Sequence, residues 1–153
     1  MDYIDLKIIT ILQHNARTPL KVLAEQVYLS SPATAARIQR LEKDGIIEGY
    51  TAKINLKTIG VPIIAFINLD LDPRQKPTFY PFIRSHPNVL ECSCVTGHYS
   101  QHIKVAFEST EALDTFIGEL NAYGHTETQI AFSTPQPPRE IGVEKILADK
   151  IKE

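Results

Sequence analysis

Apolar residues recur at helical spacing in the first third of the chain and alternate or run together beyond it. Ile4, Ile8, Ile9 and Leu12 form one stripe, on a helix that Asp2 or Asp5 can begin and that ends at the polar corner His14-Asn15-Ala16-Arg17. Leu20, Leu23, Ala24 and Val27 mark a second, shorter helix. Thr18 is placed to cap it, with Pro19 at the first helical position, where a missing N–H costs nothing. The stripe breaks at Tyr28-Leu29-Ser30 and restarts at once. Ser31 is placed as the next cap, Pro32 as the first helical residue, and Thr34, Ile38 and Leu41 fall at i, i+4 and i+7 as a buried face. Two capped helices joined by so short a break predict a helix-turn-helix corner, and the first helix makes the unit tri-helical. Its core would be Leu23, Val27, Ile38 and Leu41 closed over by the first stripe.

After Gly45 the period changes. Residues 46–60 carry Tyr50, Ala52, Ile54 and Leu56 in alternation, as a strand would, and end at Gly60-Val61-Pro62, which predicts a β hinge rather than a plain linker. Ile63 to Leu71 reads as a buried strand closed by Pro73, and Lys76 to Ser85 as a helix despite Pro81 inside it. Val89 to Thr96 and Gln101 to Phe107 read as a hairpin around Gly97-His98-Tyr99-Ser100. Ser109-Thr110 begins a helix bearing Leu113, Phe116, Ile117 and Leu120, and Thr126 to Ser133 is a last strand. Strand, helix, strand, strand, helix, strand is the ferredoxin-like βαββαβ order. Both helices cover one sheet face, so a domain this small must cover the other with a second copy. The expected class is therefore α+β. A helix-turn-helix (winged-helix-like) domain spans 1–45, a hinge strand 46–60 and a ferredoxin-like dimerisation domain 61–134. A Pro-rich turn and helical tail follow at 135–153, the tail's apolar residues being Ile141, Val143, Ile146, Leu147 and Ile151.

The polar face of the third helix changes the picture most. Small Ala33 and Ala36 near its start and Arg37, Arg40 and Lys43 further on lie away from the buried stripe. Small side chains let a helix approach base edges and thymine methyls, while arginines reach phosphates or a guanine edge. An ordinary solvated helix face is the plainer alternative, but it does not account for the two starts, the corner and the exit into a strand together. The expected reading surface is Ser31, Ala33, Thr34, Ala36, Arg37, Arg40 and Lys43.

The net charge of −2 over 153 residues hides a split. Residues 1–60 hold eight Lys and Arg against six acids, and the remainder eight against twelve. So weak a global field implies local basic patches multiplied by oligomerisation. No run approaches the roughly twenty apolar residues of a membrane helix, and the acidic start MDYIDLK is unlike a signal peptide, so a cytoplasmic protein is expected. Cys92 and Cys94 share a strand face, where a bridge between them is geometrically poor; they read as reduced core thiols, with no partners at metal-site spacing. His14 reads as a corner residue.

The run LAEQVYLSSPATAARIQRLEKDGIIEGYTAKINLKTIG resembles the DNA-binding half of the leucine-responsive and asparagine-responsive (Lrp/AsnC) transcription regulators, with their RIxRLExxGII-GYxA pattern entering a hinge. The resemblance extends over residues 2 to 134. It implies double-stranded DNA as partner, association with the nucleoid, a hinge paired with its copy in a second subunit, and dimers assembled into a tetramer or octamer. It also implies a small effector, such as an amino acid, acting on amino-acid metabolism genes, with no cofactor, metal or catalytic residue.

Thr96-Gly97-His98-Tyr99-Ser100 resembles the family's TG-x-Y turn, and its TGHYS wording is similar to the asparagine-responsive branch, where the loop borders a pocket between dimers. Gly97 frees backbone amides for a carboxylate, Tyr99 and Ser100 offer hydroxyls, and the resemblance adds Thr126, Glu127 and Thr128, with Glu127 able to hold an ammonium group. A plain hairpin turn is the bland alternative. His98 stands where many relatives have an acid, which leaves the effector's identity open. Two other classes compete. A siroheme-decarboxylase-like enzyme shares the two-domain plan, and His98 and His102 bear on it. A stand-alone amino-acid sensor would not need the N-terminal 45 residues.

Overall fold

The computed structural model describes residues 1–139, 141–143 and 147. The chain divides into two compact units: Met1–Lys53 with the chain from Pro137 on, and Ile54–Gln136.

Three helices build the first unit: α1 (Tyr3–His14), α2 (Leu20–Gln26) and α3 (Ser31–Lys43). Asp2 caps α1 by accepting from the Asp5 amide at 2.9 Å, and Asp5 returns the bond to the Asp2 amide at 2.9 Å. Two orphan amides are thus satisfied by two carboxylates at the positive end of the helix. The other two caps differ from expectation. Ser30, one residue before the expected Ser31, accepts from the Ala33 amide at 3.3 Å, because its extended backbone turns the hydroxyl toward the first turn of α3. Thr18 does not cap α2; its hydroxyl donates back to the Asn15 carbonyl at 2.7 Å, and Pro19 stands at the cap position without a side-chain bond. In the corner between α2 and α3, Tyr28 takes a left-handed φ of 57°, its ring 89% exposed with the Lys7 ammonium 5.2 Å from its centre. Ile8, Ile9, Leu23, Val27 and Leu41 form the buried core, with Ile4, Leu12, Ile38, Ile47 and Val143 packed on it.

Residues 46–60 contain no strand. A strand exists through its ladder, and these residues find no ladder partner within one chain. The arm is held at its start by Tyr50, whose hydroxyl donates to Glu42 at 2.9 Å. Burial first, then the Glu42 carboxylate, push this phenol up to about 12. A turn over Asn55–Gly60 follows, with Gly60 at φ +86°. The expected tail helix lies mostly outside the described residues; Val143 docks on the first core, and Ile141 is exposed.

The second unit is a four-stranded antiparallel sheet with two helices: β1 (Ile63–Leu71), α4 (Lys76–Ser85), β2 (Val89–Cys94), β3 (Gln101–Phe107), α5 (Thr110–Leu120) and β4 (Gly124–Ile130), with strand order β2-β3-β1-β4. Alternate residues Ala65, Ile67 and Leu69 of β1 and Ile103, Val105 and Phe107 of β3 are buried with Phe79 and Ile83 of α4 and Leu113, Phe116 and Leu120 of α5. Pro81 sits inside α4, four residues after Pro77, so the internal bond it cannot make is one turn long and packing of Phe79 and Ile83 maintains the helix. Two strands shift from expectation: β2 stops at Cys94 rather than Thr96, and β4 begins at Gly124 rather than Thr126. Gly124, at φ +156°, lies so close to the Asp70 carbonyl that a Cβ there would overlap it. On the opposite sheet face Ile64, Phe66, Asn68 and Asp70 alternate with the buried set, facing His102 and Lys104 of β3 and Glu127 and Gln129 of β4. Neither helix of the unit covers this face.

Candidate functional site

The outer side of α3 presents Pro32, Ala36, Gln39, Arg40 and Lys43 as exposed, with Ser31 and Ala33 half-buried. Positions 32, 36, 39, 40 and 43 form one continuous helical stripe. Gln39, which sequence reading passed over, lies in its middle; its spacing of three from Ala36 and four from Lys43 was the available signal. Two expected members of the surface are elsewhere. Thr34 is fully buried, its hydroxyl donating to the Ser30 carbonyl at 3.0 Å, so it belongs to the corner.

Arg37 is the larger correction. Its guanidinium donates to Asp2 at 2.7 Å and Asp5 at 2.8 Å, and Arg40 donates to the other Asp5 oxygen at 2.6 Å. Asp5 is fully buried, while the arginine side chains are 24% and 49% exposed, so α1 draws Arg37 inward and leaves Arg40 straddling the surface. The cause is the cap itself. A carboxylate at the third position of α1 faces the middle of α3, and a buried carboxylate without cations would cost several kcal/mol. The Asp2 and Asp5 carboxylates raise the Arg37 pKa further. Burial opposes ionisation of Asp2, but the Asp5 amide and Arg37 outweigh it and hold that carboxyl below its usual value.

The 96–100 loop closes the β2–β3 hairpin. Val95 donates to the Ser100 carbonyl at 3.0 Å, and Ser100 is tied to the end of β1: its amide donates to Leu69 O at 3.1 Å and its Oγ accepts from the Leu71 amide at 3.1 Å. Gly97 takes φ +121°, a conformation that favours glycine. His98 meets Tyr99 edge-on at 4.8 Å, and Tyr99 stacks at 6.5 Å on His125 of β4. The Glu127 carboxylate facing the Tyr99 hydroxyl, then burial and Asp70, raise the Tyr99 pKa. Tyr99, Glu127, His125 and Asp70 thus gather at one end of the uncovered sheet face. Thr126 and Thr128 do not join them. Opposite Leu69 and Ile67, they point to the helix side, Thr126 donating to Asn121 at 3.2 Å and Thr128 keeping a buried hydroxyl. Only Glu127 of that trio shares the face of Tyr99, because successive strand residues alternate. His98 and His102 are also apart: His102 bonds Asn68 at 2.8 Å and stacks on Phe66 at 5.7 Å.

A groove of about 350 Å³ lies on the helix side of β2, lined by Tyr80, Arg84, Glu91, Cys92, Cys94 and Gln101 among others. Cys94 is exposed rather than a core thiol, since β2 is an edge strand that α4 covers only in part. Among the described residues no group of three or more His, Cys, Asp or Glu could hold a metal ion, and no helix is long and apolar enough to cross a membrane.

A two-helix corner with an exposed polar stripe on its second helix, followed by a four-stranded sheet unit, is the plan of a DNA-binding regulator of the helix-turn-helix type, and comparison with known proteins agrees. The winged helix-turn-helix DNA-binding family matches residues 1–48, and the Lrp/AsnC ligand binding domain matches residues 64–141. The HTH-type transcriptional regulator YezC of Bacillus subtilis strain 168 is 37% identical over 88% of this chain and 95% of its own. The structure of E. coli AsnC superposes with a TM-score of 0.83 at 30% identity, over 93% of this chain and 98% of that one. A transcriptional regulator of Neisseria meningitidis, solved as its L-Met complex, superposes at 0.90 over 96% and 99%; at 23% identity it attests the fold alone. The chain belongs to the Lrp/AsnC family of transcriptional regulators. Relatives carrying both parts are named as regulators rather than enzymes, so the decarboxylase alternative has no support.

Proposed function

We propose that the chain regulates transcription by reading duplex DNA with the Ala36, Gln39, Arg40 and Lys43 stripe of α3. The observation that carries this reading is the continuity of that exposed stripe in a unit whose family binds DNA. Gln39 offers a bidentate amide suited to adenine, Ala36 a contact for thymine methyl groups, and Lys43 and the free edge of Arg40 charge for phosphate. Arg37 acts indirectly, by fixing α3 on α1. In a binding titration on promoter fragments, Lys43→Ala should weaken all sequences alike and reduce the salt slope by about 1, whereas Gln39→Ala should relax base preference at one position by about 1–3 kcal/mol. Unchanged affinity and preference in both variants would contradict the surface.

The effector we propose is a free amino acid at the Gly97–Tyr99 loop, its ammonium on Glu127 and its carboxylate on loop amides. Glu127 beside Tyr99 at the end of the uncovered sheet face supports this, as does the match of residues 64–141 to the Lrp/AsnC ligand binding domain. The TGHYS wording favours a polar amide side chain as in the asparagine-responsive branch, a preference that identity to AsnC, at 30% against 37% for YezC, does not strengthen. Calorimetry with the proteinogenic amino acids tests it: one should bind, and Glu127→Gln should abolish the heat. Silence across the panel would reject the effector class. The uncovered sheet face supports a dimer through β1 and β3, from which tetramers or octamers are built, acting on chromosomal DNA in the cytoplasm and on amino-acid metabolism genes.

A further inference from the structure

The corner between α2 and α3 carries a side chain that its own packing does not explain. Val27 and Leu29 are packed into the helical core, and the Leu29 amide donates to the Ala24 carbonyl at 3.0 Å, so the corner is held on both sides. Tyr28, between them, is turned outward at φ 57° and is 89% exposed. Among the described residues the others at positive φ are all glycines: Gly45, Gly60, Gly97 and Gly124. Glycine takes this conformation without strain, whereas an aromatic side chain takes it at a cost that burial of the ring would have to offset. Here almost none of the ring is buried. Strain kept without a packing gain points to a contact made outside the chain.

Lys7 of α1 sets the chemistry of that contact. Its ammonium stands 5.2 Å from the centre of the Tyr28 ring and makes no ion pair among the described residues. The pair offers a phenol donor and an uncompensated positive charge, two groups that bind phosphate oxygens. The place in the fold agrees. α3 has 13 residues and is about 20 Å long, against about 12 Å for the width of the major groove, so both ends of the helix reach phosphate walls. Lys43 stands at one end, and the corner with Tyr28 at the other, just before the Ser30 cap.

We propose that Tyr28 and Lys7 form a phosphate clamp on duplex DNA at the N-terminal end of α3, the hydroxyl donating to a phosphate oxygen and the ammonium neutralising its charge. The clamp carries no base information; it fixes where along the groove the stripe of Ala36, Gln39, Arg40 and Lys43 comes to rest. It rests on the DNA reading proposed above and adds to it a backbone contact outside α3.

The experiment measures binding of the full-length chain to a mixed-sequence DNA duplex over a range of salt. Tyr28→Phe keeps the ring and the backbone, loses only the hydroxyl and should weaken binding about threefold. Tyr28→Gly should weaken it further yet melt no earlier than the unaltered chain, since the strain leaves with the ring. Lys7→Ala should lower the salt slope by about 1. Undiminished affinity in both Tyr28 variants, or an unchanged slope in Lys7→Ala, would overturn the clamp. So would a Tyr28→Gly chain that melts well before the unaltered one, because the ring would then be kept for stability. Normal DNA binding with impaired transcription by purified polymerase would reassign the corner to a protein partner. Should Gln39→Ala and Lys43→Ala alone change DNA binding, the reading stripe stands and only the clamp falls; should none of these variants change it, both fall.

Discussion

The helical unit and the sheet unit solve the same problem, a surface that one chain must finish, in opposite ways. In the first, charge is spent inward: Asp5 is buried and draws Arg37 and Arg40 onto it, so α1 and α3 are locked together before any partner arrives. In the second, one sheet face is packed with Ile67, Ile103 and Phe116, while the other leaves Phe66, His102 and Lys104 stacked on one another without a covering helix. The difference teaches that buried charge completes the first surface within the chain, whereas neither helix of the second unit covers the outer sheet face, the face proposed above to meet a second copy.

The strongest way to break this comparison is Phe66→Asp. A charge in the middle of the uncovered face should weaken self-association about 100-fold, or roughly 3 kcal/mol, and light scattering should show monomers with the fold intact by circular dichroism. Undiminished mass would place assembly elsewhere. Next comes Asp5→Asn, which removes the buried charge but keeps the shape. With both arginines able to turn partly to water, the loss should be about 2 kcal/mol of head stability, read by denaturant melting. Asp72→Asn, which breaks the exposed pair with Arg74, should leave the melting midpoint unchanged. Equal effects would mean that the inner cluster is no clamp.

A smaller effect concerns acid. Because the folded chain holds the Asp2 carboxyl below its ordinary value, its contribution is complete above the unfolded-chain carboxylate pKa and is lost as pH falls through the lower, folded one. Asp2→Asn should therefore flatten the acid limb of head stability and leave its neutral-to-alkaline shape alone; an unchanged acid limb would contradict the pairing. The smallest effect is at the corner. Tyr28→Gly relieves a left-handed side chain at the cost of the Lys7 contact and should stabilise the head by about 0.5 kcal/mol; destabilisation would show that the ring contact outweighs the strain.

Much of this was legible in the sequence because it depends on local patterns. The bounds of β1, α4 and β3 follow from runs of apolar residues and their proline and glycine borders, and the head core from helical spacing. What was not legible depends on contacts distant along the chain. Arg37 and Asp5 are 32 residues apart, and nothing in the spacing within α3 says that the helix crosses a carboxylate, so the arginines that seemed to carry the DNA reading turned out to be partly structural. The proposed DNA surface therefore rests on the family and on the exposed stripe of Ala36, Gln39, Arg40 and Lys43. The grouping of Thr126, Glu127 and Thr128 failed for a simpler reason, since three consecutive strand residues cannot share a face. Cys94 was misplaced because burial of a strand's face says nothing about whether the strand is at the edge.

Gly124 has a consequence for how such a chain can vary. Every single-nucleotide missense change of a glycine codon introduces a Cβ, and at this position each one collides with the Asp70 carbonyl. The phase of the following strand, and with it the side on which Glu127 emerges, is therefore guarded twice, by the β1–β4 ladder and by a mutational filter at the residue from which that ladder is measured.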